Sequence, residues 1–243
     1  MRRLIIASGR VLLLLASLFS PFAAAEHPVE VVTADFPPLT TDVEGKPGGV
    51  ALEILQEACN RAGIPLEFNF LPWQRAQWEV QTRNDVLIIP FTRMPSREAS
   101  YQWIAPLLEF KTVLITLAAP PTSLDAARQL KVGYVRGTSF KDEAERAGFT
   151  HVEETNDDET NARKLKIKHI DAWITMDLMA DSVYREAGFD PSELKYGPIL
   201  GPVKISYVAA APGFPKETAE KITRAVNQMK ADGSLQAIIK RYR

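Results

Sequence analysis

Few residues in this chain have the type and spacing to do chemistry on a solute, and Arg97 comes first among them. A guanidinium presents a rigid fork that meets a carboxylate with two parallel, charge-assisted hydrogen bonds. Arg97 closes the stretch Met94-Pro95-Ser96-Arg97; it is either such a fork or a surface arginine paired with Glu98. Gly137-Thr138-Ser139 stands between a strand ending near Val135 and a helix beginning near Phe140. Backbone N–H groups there, together with the start of the helix dipole, form an anion site that needs no basic side chain. Thr138 or Ser139 could equally cap the helix, and the two roles are compatible. Phe36 and Trp73, as buried aromatics, read first as core.

Other chemistries find little support. His27, His151 and His169 are scattered, without neighbours at metal-ligand spacing, and read as surface residues. Cys59 is the only cysteine, so no intramolecular disulfide can form. It shares a helical face with Ala51, Leu55, Ala58 and Ala62, which makes it a core residue before a reactive one. Nucleophile elbow, phosphate loop and dinucleotide fingerprint are all missing, and no cofactor is expected. With 29 basic and 30 acidic residues and no basic patch interleaved with aromatics, nucleic acid is not an expected partner.

The elements that must hold these residues begin after an export signal. Arg2, Arg3 and Arg10 precede an apolar run from Val11 to Phe19 and the small residues Ala23-Ala24-Ala25. This is the order of a secretory signal peptide, with cleavage expected after Ala25. A spanning helix needs about 20 apolar residues, and Ser17, Ser20 and Pro21 interrupt this run too early. The mature chain, residues 26–243, is expected to be soluble and periplasmic.

Beyond the signal, β-branched and apolar runs alternate with helical periodicity. Val29 to Thr33 reads as a strand, Gly45 to Gly49 as a hairpin or loop, and Val50 to Ala62 as a helix ended by Gly63. Leu66 to Phe70, Pro72 to Thr82 and Val86 to Pro90 complete a βαβαβ unit. After a strand at Thr112 to Leu117 and the Pro120-Pro121 break the order recurs: strands at Lys131, His151 and Ala172, with helices Ser139 to Ala147 and Glu159 to Lys166 between them. Two such units imply two lobes with a cleft between them. Val203 to Ala211 reads as a returning strand, followed by helices Lys216 to Ala231 and Ser234 to Tyr242. The chain then crosses twice between the lobes, near Thr112 and near Lys204, which makes a hinge. The expected division is 26–111 with 204–243 in lobe 1 and 112–203 in lobe 2.

In this order the chain resembles the periplasmic solute-binding proteins of polar amino-acid uptake systems, family 3. The resemblance runs from Val29 to Tyr242. It rests on Phe36-Pro37-Pro38, Gly49 with Glu53, Pro72-Trp73-Gln74-Arg75, Asp85, Thr92 through Arg97, and Trp103 to Pro106. Further on it includes Val132 through Thr138, Ile170-Asp171-Ala172 and Ala231-Asp232-Gly233-Ser234. It implies an α/β, type II periplasmic-binding-protein fold, with two βαβ lobes joined by a two-strand hinge. It also implies a monomer without a cofactor that docks on an ABC permease of the inner membrane.

For the site, the resemblance implies that Arg97 and the Gly137-Thr138-Ser139 turn grip one solute carboxylate from opposite lobes, with Phe36 and Trp73 against its side chain. The family usually has threonine where this chain has Met94, so either Thr92 supplies that hydroxyl or the solute head group differs. The family's ammonium partner is an aspartate shortly after the strand that begins Asp-Ala. Here Asp177 follows Asp171-Ala172 one residue later than that spacing, with Met176 in the expected place; Asp181 or a capping role for Asp177 are the alternatives. Glu53 and Arg75 read as solvated or structural.

The expected function is therefore capture of a small carboxylate-bearing solute, an amino acid or derivative, for delivery to an ABC transporter or a sensor. An enzyme on the same scaffold, resembling cyclohexadienyl dehydratases, is the alternative. It would need a buried acid in the cleft, for which Glu109 is the candidate. A ligand-free interaction module is the third reading.

Overall fold

The computed structural model describes residues 27–242, so the expected signal peptide lies outside the described residues. The first lobe opens with β1 (Val29–Thr33), the short hairpin of β2 (Thr41–Val43) and β3 (Lys46–Gly48), and α1 (Val50–Ala62). It continues through β4 (Leu66–Phe70), α2 (Trp73–Thr82) and β5 (Val86–Thr92). Strands β4, β1 and β5 run parallel, with Val31 opposite Phe68 on one side and Leu87 on the other. Every residue of β5 is buried, as a strand covered on both faces requires. Gly63 ends α1 in the left-handed conformation, at φ 71, where a residue without Cβ carries no steric penalty.

β6 (Gln102–Thr116) then leads into the second lobe: α3 (Leu124–Ala127), β7 (Val132–Val135), α4 (Phe140–Ala147), β8 (Val152–Thr155), α5 (Asp158–Lys166), β9 (Ala172–Met176) and α6 (Ala180–Glu186). Strands β8, β7 and β9 are parallel. β10 (Lys195–Ala210) returns to the first lobe, where α7 (Lys216–Ala231) and α8 (Ser234–Lys240) pack against α1. Ala58 and Cys59 of α1 are fully buried in that first-lobe core. No helix among the described residues is long and apolar enough to cross a membrane.

The two βαβαβ units are as expected, but they do not form separate parallel sheets. One eight-stranded mixed sheet runs in the order β4-β1-β5-β10-β6-β9-β7-β8. The link is an antiparallel pair, β6 against β10, from Gln102 opposite Ala210 to Thr116 opposite Lys195. Both strands are longer than the residue pattern suggests, at 15 and 16 residues. Pro106 masks the first half of β6, and Gly197, Pro198, Gly201 and Pro202 mask the first half of β10. These residues coincide with register shifts in the pairing, between Tyr196 and Ile199 and between Leu200 and Lys204. Pro and Gly are accommodated in strands at such irregularities. The hinge is thus two continuous strands interrupted by bulges.

Candidate functional site

A cavity between the lobes is lined by Phe36, Trp73, Pro90, Thr92 and Arg97 from the first lobe. Thr138, Ser139, Phe140, Asp158, Met176 and Met179 line it from the second. It is narrow, about 20 Å³, and a second, wider cavity of about 510 Å³ shares Phe36 and Trp73 with it and is lined also by Asp35, Phe70, Arg136 and Asp157. The narrow cavity has room for a water or two, so a solute can place its head group there only by parting the lobes.

Arg97 reaches this cavity from a single 3-10 turn, Pro95–Arg97, at the end of β5. Its Nη1 donates to the Thr92 carbonyl at 3.1 Å, and its Nη2 donates to Gln77 Oε1 at 3.3 Å and to the Gly137 carbonyl at 2.8 Å. The guanidinium carbon lies 4.1 Å from the centre of the Phe91 ring, a cation–π distance. Burial pulls its pKa down to about 10, so it remains cationic at neutral pH. Glu98 is not its partner: Arg93 holds that carboxylate through Nε at 2.9 Å.

The aromatic wall is built by T-shaped packing of Phe36 on Trp73 at 5.1 Å and by Phe91 behind Trp73 at 5.8 Å. Trp73 is 5 % exposed, and its Nε1 has no hydrogen-bond partner among the described residues.

From the second lobe, the turn after β7 brings Gly137 against α2. Its φ is +74, and a Cβ there would lie 2.9 Å from Gln77 Nε2 and 3.4 Å from Gln74 Cγ. Only glycine meets both the backbone conformation and the close approach. The Thr138 hydroxyl donates to the Val135 carbonyl at 2.6 Å and weakly accepts from Phe140 N–H at 3.3 Å. Ser139 precedes the first residue of α4, yet its side chain makes no capping bond and its buried Oγ is unpartnered. The capping reading of the turn therefore fits Thr138 in part and Ser139 not at all.

Sequence reasoning missed Asp158. Asp157 caps α5, accepting from Thr160 N–H at 2.6 Å, and so turns the next residue inward. Asp158 is 3 % exposed. Its Oδ1 accepts from Trp173 Nε1 at 2.9 Å and from the Thr175 hydroxyl at 3.4 Å, while Oδ2 has no partner. Burial pushes its pKa up to about 7, because removing a carboxylate from water penalises its charged form. A signal for it was present in Trp173, a strand-centre indole that needs an acceptor when buried.

The cavity thus brings together Arg97, Thr92, Thr138, Ser139, Phe36 and Trp73, while Gly137 is outside its lining and meets it only through the carbonyl bound to Arg97. Asp177 is placed elsewhere: its N–H donates to the Lys111 carbonyl at 2.9 Å, and its Oδ1 accepts from Lys111 N–H at 2.9 Å. Met176, not Asp177, lines the cavity. Asp181 accepts from Tyr196 Oη at 2.8 Å. Glu109 lies exposed in a different groove, with Pro106, Ile205 and Lys230. Arg75 pairs with Glu79 and Glu53 with Arg241, as structural roles require.

The sequence matches the family described as bacterial extracellular solute-binding proteins, family 3, over residues 29–243. No curated protein sequence matches the chain. Among solved structures it is similar to a histidine kinase sensor domain with similarity to periplasmic binding proteins, at 17 % identity and a TM-score of 0.80, covering 88 % of this chain and 95 % of that one. It is likewise similar to an ancestral arginine-binding protein bound to arginine, at 21 % identity and TM-score 0.77, over 88 % and 97 % of the two chains. The arginine-, lysine-, histidine-binding protein ArtJ from Geobacillus stearothermophilus gives 20 % identity and TM-score 0.77, over 89 % and 95 %. Identities this low carry the fold alone; the family match spans nearly the whole described chain, and this protein belongs to the bacterial extracellular solute-binding proteins of family 3.

Proposed function

We propose that this chain is an exported, monomeric periplasmic binding protein that captures a small carboxylate-bearing solute, an amino acid or close derivative. It holds the solute without turning it over and delivers it to an ABC permease. Residues 26–111 with 204–243 form one lobe and 112–203 the other, a division supported by the two long strands β6 and β10 that link the half-sheets.

One observation carries the reading: Arg97 of the first lobe and the Thr138-Ser139 start of α4 in the second line the same cavity. An anion held by the guanidinium fork would meet the N-terminal end of α4 from the other side. Binding at that point couples ligand capture to closure of the hinge. The rest of the solute would extend past Phe36 and Trp73 into the wider cavity.

A thermal-shift screen of the protein with amino acids, dicarboxylates, small peptides and opines tests this. A ligand at about 100 times its dissociation constant adds about 2.7 kcal/mol to the folded state, or roughly 5–10 °C for a chain of this size. Arg97→Ala should abolish the shift, and Arg97→Lys should retain little of it, since an ammonium lacks the fork. A shift produced only by compounds without a carboxylate, or one unchanged in Arg97→Ala, refutes the anchor. Recovery of a chemically altered compound refutes binding without turnover.

A further inference from the structure

The cavity that would hold the carboxylate also contains unspent hydrogen-bonding capacity of the opposite kind. Among its lining residues only Arg97 and Asp158 are charged, and neither forms an ion pair with the other or with any described residue. Arg97 satisfies itself on three carbonyl-type oxygens. Asp158 does not: one oxygen is fixed by Trp173 and Thr175, and Oδ2 is buried with nothing to accept from. Leaving an ionised carboxylate in that condition is expensive, and such a group either takes up a proton or finds a cation. Its raised pKa expresses the same imbalance.

A purely structural account explains only half of this side chain. As the first residue of α5, Asp158 faces the positive end of the helix dipole, and through Oδ1 it ties α5 to β9. An asparagine would make the same bond to Trp173. Oδ2, buried and unpartnered on a residue that lines the cavity, remains unaccounted for. The two acids that follow β9 are spent, Asp177 on the Lys111 N–H and Asp181 on the Tyr196 hydroxyl. At the end of β9 the cavity is lined by the thioethers of Met176 and Met179 instead.

We propose that Asp158 Oδ2 is the acceptor for a cationic amine of the bound solute, so that the narrow cavity selects a compound carrying both a carboxylate, on Arg97, and an ammonium, on Asp158. The proposal rests on the carboxylate-binding reading for the other end of the ligand. It moves the amine subsite from the end of β9 to the start of α5. It also defines what the site rejects. Hydroxy acids and N-acylated amino acids leave Oδ2 buried and unpaired, and dicarboxylates bring a second negative charge against it.

The test is calorimetric titration of protein purified from the periplasm with matched sets of probes. Each set holds a free L-amino acid, its 2-hydroxy acid, its N-acetyl derivative and its decarboxylated amine. At least one free amino acid should bind, and its hydroxy and N-acetyl counterparts should bind about 100-fold more weakly or not at all. Asp158→Asn, which keeps the acceptor for Trp173, should lose a similar factor for the amino acid and little for the hydroxy acid. The wild-type comparison stands even if the variant folds poorly. Hydroxy acid and amino acid binding within threefold of each other, or an Asp158→Asn variant as tight as wild type, overturns the Asp158 assignment while leaving the carboxylate anchor intact. Amines that bind as well as their amino acids and still depend on Asp158 refute the Arg97 anchor instead. A panel in which no compound with both groups binds overturns both.

Discussion

Replacing Asp158 by asparagine should make the ligand-free protein more stable at neutral and alkaline pH. The folded carboxyl titrates near pH 7, against 3.8 when solvated. Between these values the folded protein retains a proton that the unfolded chain has released, so stability falls as pH rises. The loss begins near pH 4 and is complete a little above pH 7. Three pKa units at 1.36 kcal/mol each give about 4 kcal/mol as the ceiling, and a water admitted beside Oδ2 would reduce it to a few kcal/mol. The side chain is 3 % exposed, so bulk screening takes little from this figure. The adjacent Asp157 adds to the upward shift and is present in both proteins. Urea unfolding of wild type and Asp158→Asn between pH 5 and 8.5 reads the effect. The range avoids the acid limb set by groups such as Glu153, held down to about 2 by Lys164 and Lys131. The variant-minus-wild-type difference should grow with pH across this range and then level off. Saturating a wild-type protein with its amino-acid ligand should flatten its slope, because the bound ammonium keeps Asp158 ionised. Parallel pH profiles, or a variant less stable than wild type at pH 8, would refute the reasoning.

Gly137→Ala should weaken ligand binding by tenfold or more in titration while barely changing the fold. The added Cβ meets Gln77 across the cleft, and a positive φ costs a non-glycine residue roughly 1 kcal/mol; unaltered affinity would show that the turn does not close on α2. Lys204, on the hinge strand, sits 2.6 Å from Glu143 of α4, which is 2 % exposed and retains only Arg146 as a second cation. Lys204→Met should therefore cost up to about 3 kcal/mol in urea unfolding, and a neutral result would mean that Arg146 alone suffices. Cys59, with its thiol pushed up to about 12 by burial, should resist a thiol reagent at pH 8 until the protein unfolds; rapid native labelling would contradict the packing of α1.

What the sequence made legible follows the range of its signals. The βαβαβ units were readable because apolar runs and glycine stops such as Gly63 are local. The joining of the half-sheets was not, since it depends on the Gln102–Phe110 stretch pairing with residues some hundred positions away, and on a strand interrupted by Pro198 and Pro202. In the site, Arg97 and the Gly137 turn could be found because each has a chemistry set by residue type. Asp158 could not be separated from its neighbours. In Asn156-Asp157-Asp158-Glu159 every residue suits the first turn of a helix, and only the three-dimensional packing decides that Asp157 caps, Glu159 pairs with Arg163 on the surface, and Asp158 turns inward. For Asp177 the limit is the converse: counting residues from Asp171 fixes a position along the chain but not that the side chain, just past β9, turns to the Lys111 N–H.

The two charged residues of the cavity differ in how far they are prepared for a ligand. Arg97 is already oriented by Thr92 and Gln77 in its own lobe and by the Gly137 carbonyl in the other. Most of the ordering cost of its flexible side chain is thereby met before an anion arrives. Because one of those bonds crosses the cleft, parting the lobes breaks it and frees a donor at the moment a carboxylate can enter. In the proposed bound state the ligand and the Gly137 carbonyl would share one guanidinium. Asp158 contributes in the opposite sense: its orientation is fixed by Trp173 and Thr175, but its second oxygen is left without compensation. A cation bound there would offset the burial penalty that holds the Asp158 pKa up near 7 in the empty protein. On the proposed reading, affinity at the arginine end would rest on preorganisation and discrimination at the aspartate end on the unpartnered oxygen, so a closure that traps a zwitterion would leave a simple carboxylate poorly held.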